Sequence, residues 1–203
     1  MRNHDVLTDP GYLVPPVPDA TDGVAWLRAS VARFASGATH ARRRALAVDA
    51  LAAIDPETLH QAARGAAGPV EVLAEALDLP ADVAGDVALV AASYQPHKPV
   101  TAEANQAVRR LVAVCGGTWD EVTANRIGLL VQACDATKAL AANLAAGRTE
   151  APVPATRRQA PDGTVVEVSL ADAPFGAGPH ACPGRDHAQA IAAGLSGQSM
   201  PVT

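Results

Sequence analysis

Between Pro174 and Leu195 the chain reads PFGAGPHACPGRDHAQAIAAGL, a composition unlike the Ala-, Val- and Leu-rich remainder. Three glycines, a histidine and a cysteine fall between Phe175 and Gly184. Pro183 suits the first turn of a helix, which predicts Cys182 at the N-terminal end of a helix formed by GRDHAQAIAAGL. Unpaired N–H groups and the positive end of the helix dipole favour a thiolate there. Gly176, Gly178 and Gly184 let the backbone turn sharply and a large flat ligand come close. A thiolate held in such a loop is equipped to be a nucleophile, a redox centre or a metal ligand. The plain alternative is a small buried residue, a frequent state of free cysteine. A site made of His180, Cys182 and His187 matches no common zinc spacing.

The remaining sequence bounds what this loop can serve. The 203 residues suit one compact domain, 1–203. Hydrophobic residues make up 49% and aromatics 3%, so the core must be filled by small aliphatic side chains. A net charge of −5 argues against nucleic-acid binding, which needs a basic surface. No apolar run is long enough to span a membrane, and MRNHDVLTDP is too polar for a signal peptide, so a cytoplasmic protein is expected. Cys115, Cys134 and Cys182 are odd in number and widely spaced, which excludes a fully paired disulfide framework and suits a reducing compartment.

Proline and capping residues divide the chain. Residues 1–20, with DPGYLVPPVPD, read as irregular, and 196–203 as a flexible tail. Helices are expected over Asp22–Ala35 and Thr39–Ala53, and another starts at Asp55 with Pro56 in its first turn. Short amphipathic stretches follow over Val70–Leu77 and Ala81–Ala92, and Thr101 reads as the N-cap of a helix ending at CGG. Thr118 and Glu121 have the spacing of a capping box. Ile127, Leu130, Val131, Cys134, Ala141 and Leu144 then recur at helical spacing up to Gly147. Such a helix, of about 27 residues and about 40 Å, must cross the core. After Glu150 the pattern turns extended, with Asp162-Gly163 as a hairpin turn. The fold class expected is mainly α, with a small β-hairpin near the C-terminus.

FGAGPHACPG resembles the haem-binding loop of the cytochrome P-450 family, F-G-x-G-x-H-x-C-x-G. Phe175, Gly176, Gly178, His180, Cys182 and Gly184 stand at its specified positions. The resemblance implies haem b with Cys182 as the axial thiolate ligand of iron, and His180 as a donor to a propionate. THARRRAL is similar to the H-x-x-x-R of the family's C helix, implying His40 and Arg44 as further propionate ligands. VEVLAEALDLP resembles the segment before the family's F helix. GLLVQACDATKALAANL resembles the I helix above the haem, with Asp135 at the acid position and Ala136 and Thr137 at the two threonine positions. Asp135 and Thr137 are thereby implied as a proton relay. APVPATRRQA resembles the strand region whose arginine reaches a propionate, here Arg158 rather than Arg157.

The chain departs from that pattern in stated ways. Family members are about twice as long, and no E-x-x-R and no meander precede the cysteine loop here. The proton-organising threonine falls at Ala136, and Thr137 lies about 100° around the helix from it. Two functions follow as expectations. One is a shortened P-450-like enzyme, a monooxygenase or peroxygenase that oxidises a small organic substrate, served by an external ferredoxin-like redox partner. The other is a non-catalytic haem binder or accessory protein, as a homodimer or beside a full-length P-450-like partner. Arg42, Arg43 and Arg185 read as an ordinary charged surface, with a docking patch as the alternative.

Overall fold

Among the described residues the fold is mainly helical, 59%. The computed structural model describes residues 3–199. Among these, the helices are α1 (Asn3–Thr8), α2 (Gly23–Ser30), α3 (Gly37–Ala52), α4 (Pro56–Ala63) and α5 (Pro69–Ala76). They continue as α6 (Ala84–Tyr94), α7 (Ala102–Cys115), α8 (Glu121–Ala145) and α9 (Arg185–Ser196). One antiparallel hairpin, β1 (Ala155–Gln159) and β2 (Val165–Ser169), lies between α8 and α9.

Local chemistry sets most of these boundaries. The Asp55 carboxylate accepts from the Glu57 and Thr58 amides, and Pro56 needs no donor at the first helical position. Thr101 Oγ1 accepts from the Ala104 amide at 3.1 Å. The hairpin closes where Asp162 Oδ1 accepts from the Thr164 amide at 2.9 Å.

Four boundaries differ from the sequence expectations. Asp120, not Thr118, caps α8: its carboxylate accepts from the Thr123 amide at 2.8 Å, while the Thr118 hydroxyl donates to Asp120 Oδ2 at 2.6 Å. A carboxylate is the stronger acceptor, and Glu121 is engaged elsewhere, by Arg42 and Arg43. The helix expected to Ala35 stops at Ser30, and Val31 leads into a 3₁₀ turn, Ala32–Phe34. The one expected from Ala81 begins as a 3₁₀ turn, and α6 proper starts at Ala84. The irregular N-terminal segment is helical over Asn3–Thr8, because Val6 and Leu7 bury against Val168 and Leu170 of the hairpin region.

α8 lies inside a sheath of helices, with Ile127 and Leu130 fully buried beside Leu27, Leu111 and Ile191. On α9 the run Ala190–Ala193 is buried, and small side chains let it approach α4 closely. Leu13 pairs with Gln159 through two backbone hydrogen bonds, 3.0 and 2.8 Å, adding a one-residue third rung to the hairpin. In the expected tail, the Gln198 carbonyl lies 3.0 Å from His60 Nε2 and its side chain donates to the Leu144 carbonyl at 2.7 Å. Residues 200–203 of that tail, and residues 1 and 2, lie outside the described residues. Among the described residues, no helix is long and apolar enough to cross a membrane.

Candidate functional site

The cysteine loop is closed by its own backbone. The Gly176 amide donates to the Ala173 carbonyl and the Cys182 amide to the Phe175 carbonyl, both at 2.8 Å. Gly178 opens a 3₁₀ turn through His180, with φ +64°, and an added Cβ would stand 2.9 Å from the Leu7 carbonyl oxygen. Only glycine meets both demands, so α1 closes directly over the loop. Gly176, with φ +72°, faces the His180 carbonyl, and Gly184 faces a methyl of Leu51 on α3. Phe175 lies beneath the Arg185 guanidinium, 5.7 Å from Cζ to ring centroid.

His187 holds the start of α9 against the end of α3. Its Nε2 is 3.0 Å from both the Leu51 and the Ile54 carbonyl oxygens, so Nε2 carries the proton and donates. It is a structural anchor. Among the described residues, no three His, Cys, Asp or Glu side chains converge as a metal site.

Cys182 is exposed, whereas Cys115 and Cys134 are buried. The first turn of α9 begins at Arg185, so Cys182 lies ahead of the helix rather than at its mouth. The thiolate expected from the helix dipole is not favoured in the structure. Although the residue has open surface, the protein packed around its thiol pushes the pKa up, outweighing the Gly184 amide and the positive charges of Arg44 and Arg33. The ligand-free thiol is therefore protonated at neutral pH.

Around this loop four segments bring cations together. His40 on α3 stacks on His180, with ring centroids 3.9 Å apart. Arg44 follows one turn along α3, and Arg158 on β1 is 6% exposed. Among the described residues, Arg158 Nη1 donates to Thr156 Oγ1 and the Arg157 carbonyl, at 3.2 and 2.9 Å. Arg33, from the 3₁₀ turn after α2, adds its charge to Arg158, His180 and Cys182. Among the described residues, no carboxylate forms an ion pair with Arg33, Arg44 or Arg158. Of the three arginines only Arg158 is buried, and Arg33 and Arg44 are half-buried, so the buried guanidinium is the one that an anion would stabilise most.

Both imidazoles respond to this setting. Burial, then Arg44 and Arg158, hold His40 below its ordinary pKa. Burial, then His40 and the three arginines, push His180 down to about 3. Unfolding restores an ordinary histidine that takes up a proton below about pH 6.5. This stability is therefore complete above pH 6.5 and is lost as the pH falls towards 3. Acidification of the haem-free protein from pH 7.5 to 5 should lower its thermal midpoint, with a His180 contribution of at most about 2 kcal/mol, reduced by solvent screening. His180→Gln should flatten that slope; parallel pH profiles for the two proteins would rule the linkage out.

The remaining expected residues fall elsewhere. Asp135 is exposed and Thr137 is buried, so they lie on different sides of α8. Asp135 acts on Cys134, together with Lys138, and is not among the charges acting on Cys182. Arg42 and Arg43 tie α3 to the start of α8 through Glu121, with Arg43 Nε donating at 2.8 Å. Two clefts, of about 410 Å³ beside Phe34 and Arg43 and about 360 Å³ beside Leu46 and Arg126, do not have Cys182 in their walls.

Arg33 is the residue that sequence reasoning missed. It belongs to no motif, and its significance arises only from the reach of its charge to Arg158, His180 and Cys182. No protein-family model matches the chain, and no curated protein matches it.

Proposed function

We propose that this chain is a haem-thiolate protein of cytochrome P-450 type, with Cys182 as the iron ligand. The observation that carries this reading is the uncompensated cation cluster beside an exposed cysteine. Haem b presents two carboxylates on one edge, and Arg44 and Arg158, with neutral His40 and His180, supply charge-assisted and neutral donors for that edge. Phe175, Gly176, Gly178 and Gly184 hold the cysteine loop in its tight form, and removing the thiol proton accompanies iron binding. When bound, a thiolate-ligated haem supplies the electron-rich iron used to cleave an O–O bond.

The function follows as oxidation of a small organic substrate. Peroxide suits it better than oxygen as oxidant, because Asp135 and Thr137 do not converge to deliver protons. The same separation favours a second reading, a haem binder or accessory protein without turnover. A ferredoxin-like partner is needed only for the oxygen-driven reaction.

The test is a spectrum of the reduced, carbon monoxide-treated protein purified with haem supplied. A strongly red-shifted Soret band is expected, with uptake rising as the pH is raised towards the thiol pKa. Absence of haem uptake would remove the enzyme and the haem binder and leave the accessory protein. Peroxide-driven turnover of a small organic substrate then separates enzyme from binder.

A further inference from the structure

Three helix ends enclose the cleft of about 360 Å³, which has the size of a small-molecule site. Its apolar walls are Leu46 and Ala50 on α3, Ile54 just after it, Leu77 beyond α5 and Val122 at the start of α8. Val122 is 56% exposed, so an apolar wall stands open to solvent. Asp78, Asn125 and Arg126 supply the polar part of the lining.

Of the two charges in these walls, one is already engaged. Arg126 donates from Nη1 to the Cys115 carbonyl at 3.1 Å and from Nη2 to the Leu77 carbonyl at 2.7 Å, which closes the ends of α7 and α5. The start of α8 is satisfied as well, by the Asp120 carboxylate. Asp78 is exposed, and among the described residues its carboxylate forms no ion pair and accepts no hydrogen bond. Its backbone is also out of the ordinary. Asp78 has φ +55°, and among the described residues every other positive φ belongs to a glycine. The Asp78 amide donates to the Glu75 carbonyl at 3.1 Å and the Leu79 amide to the Ala74 carbonyl at 2.9 Å, a helix ending in which glycine is the usual residue. Aspartate there is strained relative to glycine, and it sets a negative charge at the negative end of a helix dipole. A bound cation offsets the second cost, and an apolar body attached to it covers the open walls.

We infer that this cleft binds a small organic cation, a primary amine carrying a compact apolar group, with its ammonium on Asp78. The ammonium donates to the carboxylate in a charge-assisted hydrogen bond, and the apolar group packs on Leu46, Ala50, Ile54, Leu77 and Val122. The Asn125 amide, in the same walls, supplies a neutral acceptor. Cys182 is not in these walls, so the site does not depend on haem.

The test titrates phenethylamine, its neutral counterpart phenethyl alcohol and the anion phenylacetate into the full chain by calorimetry. The amine should bind about ten-fold more tightly than the alcohol, one charge-assisted hydrogen bond's worth, and phenylacetate more weakly than either. Asp78→Asn keeps the size of the side chain and tolerates a positive φ, and it should bring the amine down to the affinity of the alcohol. Asp78→Gly should do the same and raise the thermal midpoint of the ligand-free protein, because glycine adopts this φ without strain. Ala53→Phe, at an exposed position in the wall, should weaken amine and alcohol alike by filling the cleft. Equal affinity for amine and alcohol overturns the cation assignment, as does tighter binding of phenylacetate. Amine binding unchanged in Asp78→Asn or in Ala53→Phe overturns the site, and so does a wild-type chain that takes up no amine.

Discussion

Cys182→Ala is expected to abolish the red-shifted carbon monoxide band completely while leaving the fold intact. The two outcomes separate because Cys182 is exposed and lies outside both apolar clusters. What the loop needs from residue 182 is its amide, which donates to the Phe175 carbonyl, and alanine keeps that bond. Surface substitutions of this kind change stability by roughly 0.5 kcal/mol or less. The thiol has no substitute for iron. Arg44, Arg158, His40 and His180 can still hold carboxylates, so the variant is expected to retain weak haem with an unshifted band. A variant with the wild-type spectrum would mean that another group ligates the metal. A variant that unfolds would mean that the thiol is structural. Circular dichroism and the reduced spectrum, taken together, tell these apart.

The second large effect is steric and has an unusual sign. Replacing glycine by alanine inside a helix normally stabilises by about 1 kcal/mol. Gly194→Ala on α9 should instead destabilise by roughly 1–3 kcal/mol, the usual range for overpacking. A Cβ at Gly194 would collide with the His60 carbonyl oxygen and stand 2.7 Å from Ala63 Cβ, both on α4. The helices must part to admit it. Gly85→Ala on α6 is the control, because a Cβ there meets nothing within 4 Å, and the expected change is stabilising. Urea midpoints for the two variants should move in opposite directions. Haem uptake should also fall in Gly194→Ala, since α9 carries the cysteine loop at its start and is anchored on α3 through His187. A midpoint in Gly194→Ala equal to or above wild type would show that α4 and α9 are not held at this spacing.

How far the fold could be read from residues depended on how local the cause was. Asp55-Pro56, Thr101 and Asp162-Gly163 act on their immediate neighbours, and each marks the boundary expected of it. Thr118 and Asp120 are both competent caps two residues apart, and the choice between them turned on Arg42 and Arg43 drawing Glu121 away. α1 could not be read at all: six residues carry no periodicity, and Val6 and Leu7 find partners only at the far end of the chain. The cysteine loop was legible as a loop, but not in its electrostatics. Helix-terminus reasoning pointed to a low thiol pKa, whereas the thiol is ahead of the helix and burial dominates. Arg33 is locally no different from Arg64. What distinguishes it is the reach of its charge to Arg158 and His180 in the folded chain.

The contact between the Leu7 carbonyl and Gly178 has a consequence for how the protein is made. The cysteine loop is roofed by residues that leave the ribosome well before it, since Leu7 precedes Gly178 by most of the length of the sequence. At about 5–20 residues per second, synthesis holds the two halves of this enclosure apart for many seconds. Any group that sits beneath α1 must therefore be acquired after translation has passed Gly184, as a late maturation step. Availability of that group once the loop has emerged, rather than before, would then govern how much mature protein a cell accumulates.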